Sequence, residues 1–337
     1  MASKDEFTVK NGAIVGYNGQ SDTVVIPDIA SVIGNGAFRA NKRLKRVVIS
    51  RGITRIEREA FFHCENLESV TVADTVTHIA SSAFIGCFAL KCVSIPSSVE
   101  SIGICAFADC KNLEKFEVDE LNPHLKVEDN CIIERKTQLL VAGCKKSKIS
   151  PSVRKIGAYA FRGCEIKSVD IPGSVTTIGE GAFSHCGKLK SVVLGEGVEE
   201  LKDHAFFDCK SLETVILPNS IKSVGKYVFE NAFKIKTSVY DNFKYLGNES
   251  NPYLYLMGEV DCQAERGTVK NGCRLIGAHT LYWCLELKKI KIPPSVTTIG
   301  EGVFSNLYDE LTIYAKEGSV AQAYAQENGI KFQPIQG

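Results

Sequence analysis

Apolar and polar residues alternate in short runs along this chain, and the same run recurs many times. Between Leu90 and Cys110, Val93 and Ile95 alternate with Cys92 and Ser94, the two-residue period of a half-buried strand. Pro96 then ends the strand, and Pro172, Pro218 and Pro293 stand at the same place in other copies, because proline has no N–H to give to a ladder. A second apolar pair follows, Val99 and Ile102, and then in many copies a glycine: Gly103, Gly157, Gly179, Gly225, Gly277 or Gly300. These glycines are predicted to supply a backbone angle at a bend that a Cβ would hinder. Last comes a small residue before an aromatic one, as in Ala60-Phe61 or Ala182-Phe183. The small residue permits close approach, the ring fills the interior, and a helical turn is predicted around the pair.

Ten copies carry this mark: Phe38, Phe61, Phe84, Phe107, Phe161, Phe183, Phe206, Phe229, Leu281 and Phe304, at steps of 23, 23, 23, 54, 22, 23, 23, 52 and 23 residues. A unit of that size cannot bury its apolar face alone, so the period predicts stacked coils of a solenoid with a parallel sheet along one face.

The two long steps are insertions. Val127 to Ile133 and Leu139-Leu140-Val141 flank a polar turn over Glu134 to Gln138, and Phe243 to Leu246 and Tyr253 to Met257 flank Gly247 to Pro252. Each pair reads as a β-hairpin. Val9 to Tyr17 offers a third hairpin, placed to cover the first coil, because an open end leaves apolar side chains and a sheet edge in water. At the other end, Ser319 to Gln326 reads as a short helix with a capping box from Ser319 and Gln322 and a stop at Gly329, followed by an extended Ile330 and Phe332. The expected layout is one solenoid domain: hairpin cap 1–23, repeats 24–118, hairpin 119–148, repeats 149–240, hairpin 241–266, repeats 267–313 and a cap over 314–337.

The pattern Leu-x-x-Val-x-Ile-Pro-x-Ser-Val-x-x-Ile-Gly-x-x-Ala-Phe-x-x-Cys, nearly complete from Ile171 to Cys186, resembles the BspA-type leucine-rich repeat, with coverage from Val24 to Ile313. The resemblance implies a leucine-rich-repeat solenoid, β-rich with short helical turns and a parallel concave sheet. Such arrays are frequently part of bacterial or protist surface proteins that bind host or partner molecules. It implies no catalytic residues. The copies around Phe229 and Leu281 depart from the pattern.

Composition narrows the function. Forty Lys and Arg against 39 Asp and Glu give a formal net charge of +1, with no broad field for nucleic acid or an anionic membrane. No apolar run is long enough to span a bilayer. The opening Met1 to Phe7 has no stretch of secretory type, which predicts a cytoplasmic location, or a cell-surface or secreted one where a leader was trimmed. Seven of the thirteen cysteines, Cys64, Cys87, Cys110, Cys164, Cys186, Cys209 and Cys284, stand three residues after the marker. Stacked in register they point in parallel at the layer spacing of ~4.8 Å, beyond disulfide reach, and behave as buried reduced thiols. No Cys-x-x-Cys or His-x-x-x-His pair accompanies them, so no metal and no cofactor is expected. Gly179-Glu180-Gly181 and its relatives lack the full phosphate-loop pattern. Asn248-Glu249-Ser250 matches a glycosylation acceptor in an accessible turn.

The outward side of the strand ladder reads Arg46/Val48, Ser69/Thr71, Cys92/Ser94, Lys115/Glu117, Ser168/Asp170, Ser191/Val193, Thr214/Ile216, Thr237/Val239 and Lys289/Lys291. Hydroxyls and small apolar groups dominate, and the aromatic platforms of sugar or single-stranded nucleic-acid sites are missing. A lightly polar, rigid face suits a protein or extended peptide; the same pattern also serves a solvated sheet. Candidate partner contacts are Ser69, Thr71, Ser94, Lys115, Ser168, Asp170, Ser191 and Thr214, with Tyr245, Tyr253 and Tyr255 of the second insertion as aromatic anchors. The expectation is a non-enzymatic, monomeric interaction scaffold with a protein or peptide partner. An adhesin fragment that binds host matrix or another cell is the alternative, and an enzyme the remote one.

Overall fold

A computed structural model of the chain describes residues 3–307 and 310–335. The end residues of the expected caps 1–23 and 314–337, Met1, Ala2, Gln336 and Gly337, lie outside the described residues. A coil typically carries one longer and one shorter strand, as in Cys92–Ile95 and Ser101–Ile102. Pro96 separates the two. The Phe161 coil has the shorter one alone, Lys155–Ile156.

The longer strands form three parallel ladders. In the first, Thr23, Arg46, Ser69, Cys92 and Lys115 share one row. In the second Ser168, Ser191 and Thr214 do so, and in the third Arg266, Lys289, Thr312 and Lys331. Thr237/Val239, expected as a rung, is not one. Ser238–Tyr240 turns back at Asp241, which has a positive φ of 52°, and pairs antiparallel with Phe243–Leu246. Arg266 and Thr268 begin the next ladder instead.

The shorter strands form three further ladders, and each begins with an antiparallel hairpin. Ala13–Tyr17 lies parallel to Val32–Ile33, Leu139–Ala142 to Lys155–Ile156, and Tyr255–Glu259 to Leu275–Ile276. The insertions are therefore rungs built into the stack. The apolar run expected over Val127 to Ile133 is two strands, Leu125–Glu128 and Cys131–Glu134. They are joined by Asp129 and Asn130, whose φ values of 48° and 61° match the primed turn of a two-residue hairpin.

Inside, the marker rings stack. Phe38, Phe61, Phe84 and Phe107 follow at centroid spacings of 4.9, 5.1 and 5.5 Å, and Phe161, Phe183, Phe206 and Phe229 at 4.7, 5.2 and 5.8 Å. The amides of Phe38, Phe61, Phe84, Phe161, Phe183 and Phe206 also donate to the carbonyl just before the next marker, as Phe61 N does to Ala83 O at 2.8 Å and Phe183 N to Ala205 O at 2.8 Å. Gly143 takes the marker's place in the first hairpin. Its amide donates to Ala160 O at 2.9 Å, and a Cβ there would lie 1.9 Å from the Phe161 ring.

The turns around the markers are not helical. Two residues before the marker, all ten copies adopt a left-handed backbone: Gly36, Glu59, Ser82, Cys105, Tyr159, Gly181, His204, Tyr227, His279 and Gly302 have φ between 54° and 65°. That conformation interrupts any helix and leaves a chain of tight turns. The bend glycines correct a second expectation, since none of Gly103, Gly179 and Gly300 has a positive φ. They are small because the neighbouring coil is close: a Cβ would meet Ser81 N at 2.3 Å, Ile156 O at 2.7 Å or Ala278 N at 2.4 Å.

All thirteen cysteines are unpaired. In the column, the thiols of Cys64, Cys87, Cys110, Cys186 and Cys209 donate to the marker carbonyl of the preceding coil at 3.1–3.3 Å. At the C-terminal end, helix Val320–Glu327 starts under Ser319, whose hydroxyl accepts from Gln322 N. Gln322 reaches back to Gly318 N at 2.6 Å, one residue beyond the capping-box position. Gly329, at φ 68°, closes the helix, with Ile330 N bonded to Ala325 O and Gly329 N to Gln326 O, a Schellman ending.

Candidate functional site

Alternation along each longer strand places one set of side chains in the core and the other in solvent. Ser69, Thr71, Ser94 and Lys115 are exposed on the first ladder; Ser168, Asp170 and Thr214 are exposed and Ser191 half-buried on the second. They form two rows, one residue per rung. Neighbouring rungs interact along them: Ser94 donates to Glu117 at 2.6 Å, and Lys115 pairs with the same carboxylate at 2.6 Å. These contacts, Lys115 first, hold the Glu117 carboxyl below its usual range.

Between the end of the first ladder at Lys115–Val118 and the start of the second at Ser168–Ile171 lies a cleft of about 850 Å³. Lys145, Lys146, Lys148 and Lys167 line it together with Ser168 and Asp170. Glu114 bridges Lys145 at 2.8 Å and Lys146 at 2.5 Å, and those two hydrogen bonds bring its pKa down to about 2. Lys148 and Lys167 are exposed. The cleft thus keeps positive charge beside the candidate row.

The second hairpin departs from expectation. Tyr245 and Tyr255 are 0% and 6% exposed, so neither is a surface anchor. Their strands are rungs of the stack, and alternate side chains must face the core. The Tyr245 hydroxyl accepts from Lys270 N at 3.0 Å. Tyr253 is half-buried, and the Lys270 ammonium sits over it at 5.5 Å and over Tyr240 at 4.1 Å. Asn248 is also engaged: its amide donates to Leu217 O at 2.9 Å and its oxygen accepts from Ser250 and Asn251. Asn248 is half-buried and its neighbours Glu249 and Ser250 are exposed.

A second cleft escaped the sequence reading. It holds about 550 Å³ between the Phe229 and Leu281 coils, with Tyr227, Tyr255, Met257, His279, Tyr282 and Trp283 in its walls. Tyr227 stacks on His279 at 5.4 Å with planes 6° apart, and Tyr282 meets Trp283 edge-on at 5.0 Å. The available signal was the departure of these two copies from the repeat, together with the only tryptophan of the chain. Among the described residues, no three His, Cys, Asp or Glu converge as a metal site, and no helix is long and apolar enough to cross a membrane.

The family described as BspA type leucine rich repeat region, in six copies, matches residues 17–136, 141–253 and 260–324. Among solved structures, the pneumococcal vaccine antigen PcpA superposes with a TM-score of 0.56 at 17% identity, over 87% of this chain and 68% of that one. A leucine rich cell surface protein from Faecalibacterium prausnitzii gives a TM-score of 0.44 at 21% identity, over 96% and 94%. The first shows a shared fold. A search of curated proteins found no match.

Proposed function

Because the chain belongs to the BspA-type leucine-rich repeat family, we propose that it is a non-enzymatic scaffold that binds a protein or peptide partner through the outward face of its longer-strand ladders. The observation that carries this reading is the pair of solvent-facing rows, Ser168/Ser191/Thr214 and Asp170/Val193/Ile216, running beside a lysine-lined cleft. The rungs are fixed by main-chain hydrogen bonds, so the face loses little conformational freedom on binding, which is the advantage of preorganisation. Lys148 and Lys167 suit an acidic segment of the partner, with the hydroxyls and small apolar groups of the rows under its flanks. The array works as a monomer, its ends covered by the hairpin of Phe7–Lys10 and Ala13–Tyr17 and by helix Val320–Glu327. Its unpaired, buried thiols suit a reducing, cytoplasmic location.

The test is capture from an extract of the producing organism on the immobilised chain. The triple variant S168R/S191R/T214R removes a captured protein that K188E, away from the rows, retains, while circular dichroism and melting stay those of the parent. Equal capture by parent and triple variant overturns the reading.

A further inference from the structure

We propose that the cleft between the Phe229 and Leu281 coils is a carbohydrate site that takes one or two sugar rings. It lies apart from the ladder rows and does not depend on what they bind. Three observations carry it.

The first is where the cleft opens. The second hairpin separates the two coils in sequence, yet their turns stay stacked, with Tyr227 on His279, and Lys226 reaches past the Leu281 coil to Glu301 of the Phe304 coil at 2.7 Å. The interior ring stack stops at Phe229, whose next neighbour, Tyr255, lies 6.3 Å away and tilted by 59°. The cleft opens at this break.

The second is the wall. Trp283 is 70% exposed and Tyr227 41%. Two residues after the marker, eight copies hold Ala40, His63, Gly86, Asp109, Gly163, His185, Asp208 or Asn231 in a left-handed backbone. Trp283 occupies that position without a positive φ. Asn306 of the Phe304 copy shares this change of turn, and the Leu281 copy is the one that places a large flat ring in solvent there.

The third is the Tyr255 hydroxyl. Its residue is 6% exposed and lines the cleft, and the hydroxyl has no hydrogen-bond partner among the described residues. The hydroxyl is therefore open to a ligand, as donor or acceptor. Burial also raises the phenol's pKa well above its usual range, which keeps the proton in place for donation. Glu230 adds an exposed carboxylate to the same wall.

The ligand class follows from these groups. A sugar ring offers a C–H face to a flat aromatic ring and a rim of hydroxyls to Tyr255 and Glu230. A wholly apolar ligand would leave both polar groups unmet. An anion finds no lysine or arginine among the described residues of the wall and meets the Glu230 carboxylate there. A quaternary cation would use the rings and Glu230 but not the Tyr255 proton.

Trp283 is the only tryptophan, so its emission in the full chain reads the site directly. The chain is titrated with a panel of neutral mono- and disaccharides to tens of millimolar, and separately with tetramethylammonium and a phenylalanine-containing peptide. At least one sugar is expected to give a saturable change, weakened about tenfold in Tyr255→Phe, which removes a single hydrogen bond. Tyr255→Phe keeps the ring and folds as the parent does, with an unchanged or higher melting temperature. Binding lost in Trp283→Ala, followed by calorimetry, confirms the platform. Silence across the sugar panel, saturation by the cation or the peptide alone, or an affinity indifferent to Tyr255→Phe overturns the proposal.

Discussion

The rings of Phe61 and Phe84 lie face to face, their centroids 5.1 Å apart and their planes 2° from parallel. Both are fully buried, and each amide donates to the next coil, Phe61 to Ala83 and Phe84 to Ala106, at 2.8 Å. The same residue type thus fastens neighbouring coils by its ring and by its backbone. Truncating one ring leaves a void bounded by two others that cannot collapse into it. Phe84→Ala is expected to destabilise by about 3–5 kcal/mol, read as a shift of the urea midpoint. Phe84→Leu, the residue that Leu281 supplies in another copy, is expected to cost less.

The left-handed column gives a second expectation. Ser82 has φ 63°, a conformation that costs an L-residue about 1–2 kcal/mol and a β-branched one more. Ser82→Val is expected to lower the melting temperature clearly. Ser82→Gly is expected to leave it unchanged or raise it, because glycine removes the strain while it adds chain entropy to the unfolded state.

Thiol reactivity tests the cysteine column. Burial raises Cys64, Cys164 and Cys209 to about 12 and Cys87 well above its usual value, so at pH 8 almost no thiolate is present to react. Cys92, Cys105 and Cys262 are only half-buried. Mass spectrometry after iodoacetamide treatment is expected to find label on Cys262 first, slower label on Cys92, whose thiol pKa burial raises, little on Cys105, which burial pushes up to about 11, and label on all thirteen after denaturation.

Acid stability carries the mark of one carboxylate. Hydrogen bonds from Lys126 and Ser152, in that order, depress Glu128 to about 2. A carboxylate in an unfolded chain titrates near ~4.3. The sign follows: Glu128 stabilises the fold above pH ~4.3, and that contribution fades as pH falls toward its folded value. The melting-temperature gap between parent and Glu128→Gln is therefore expected to be full at pH 7 and to shrink by pH 2.5. A gap that widens in acid contradicts this.

The strands, the marker rings and the thiol column were legible because the same chemistry returns at the same interval, and a repeated position has one physical explanation. Thr237/Val239 was misplaced because the first strand of a hairpin alternates just as a rung does, and only the turn at Asp241 separates them. Tyr245 and Tyr255 were misread because a hairpin that joins the stack buries alternate residues, whereas a projecting one exposes them. The left-handed column was invisible in composition: Glu59, Ser82, Cys105 and Tyr159 occupy it as well as glycine. The aromatic cleft joins Tyr227 to His279 across an insertion, a neighbourhood that no interval along the chain reveals.

Hydrogen exchange at the marker amides tests the stacked architecture most directly. The amides of Phe38, Phe61, Phe84, Phe161, Phe183 and Phe206 each donate to the next coil at 2.7–3.0 Å, and they are expected to exchange orders of magnitude more slowly than that of Phe233, whose residue is 87% exposed. Marker amides that exchange as fast as Phe233 would mean that the coils do not lie one upon another.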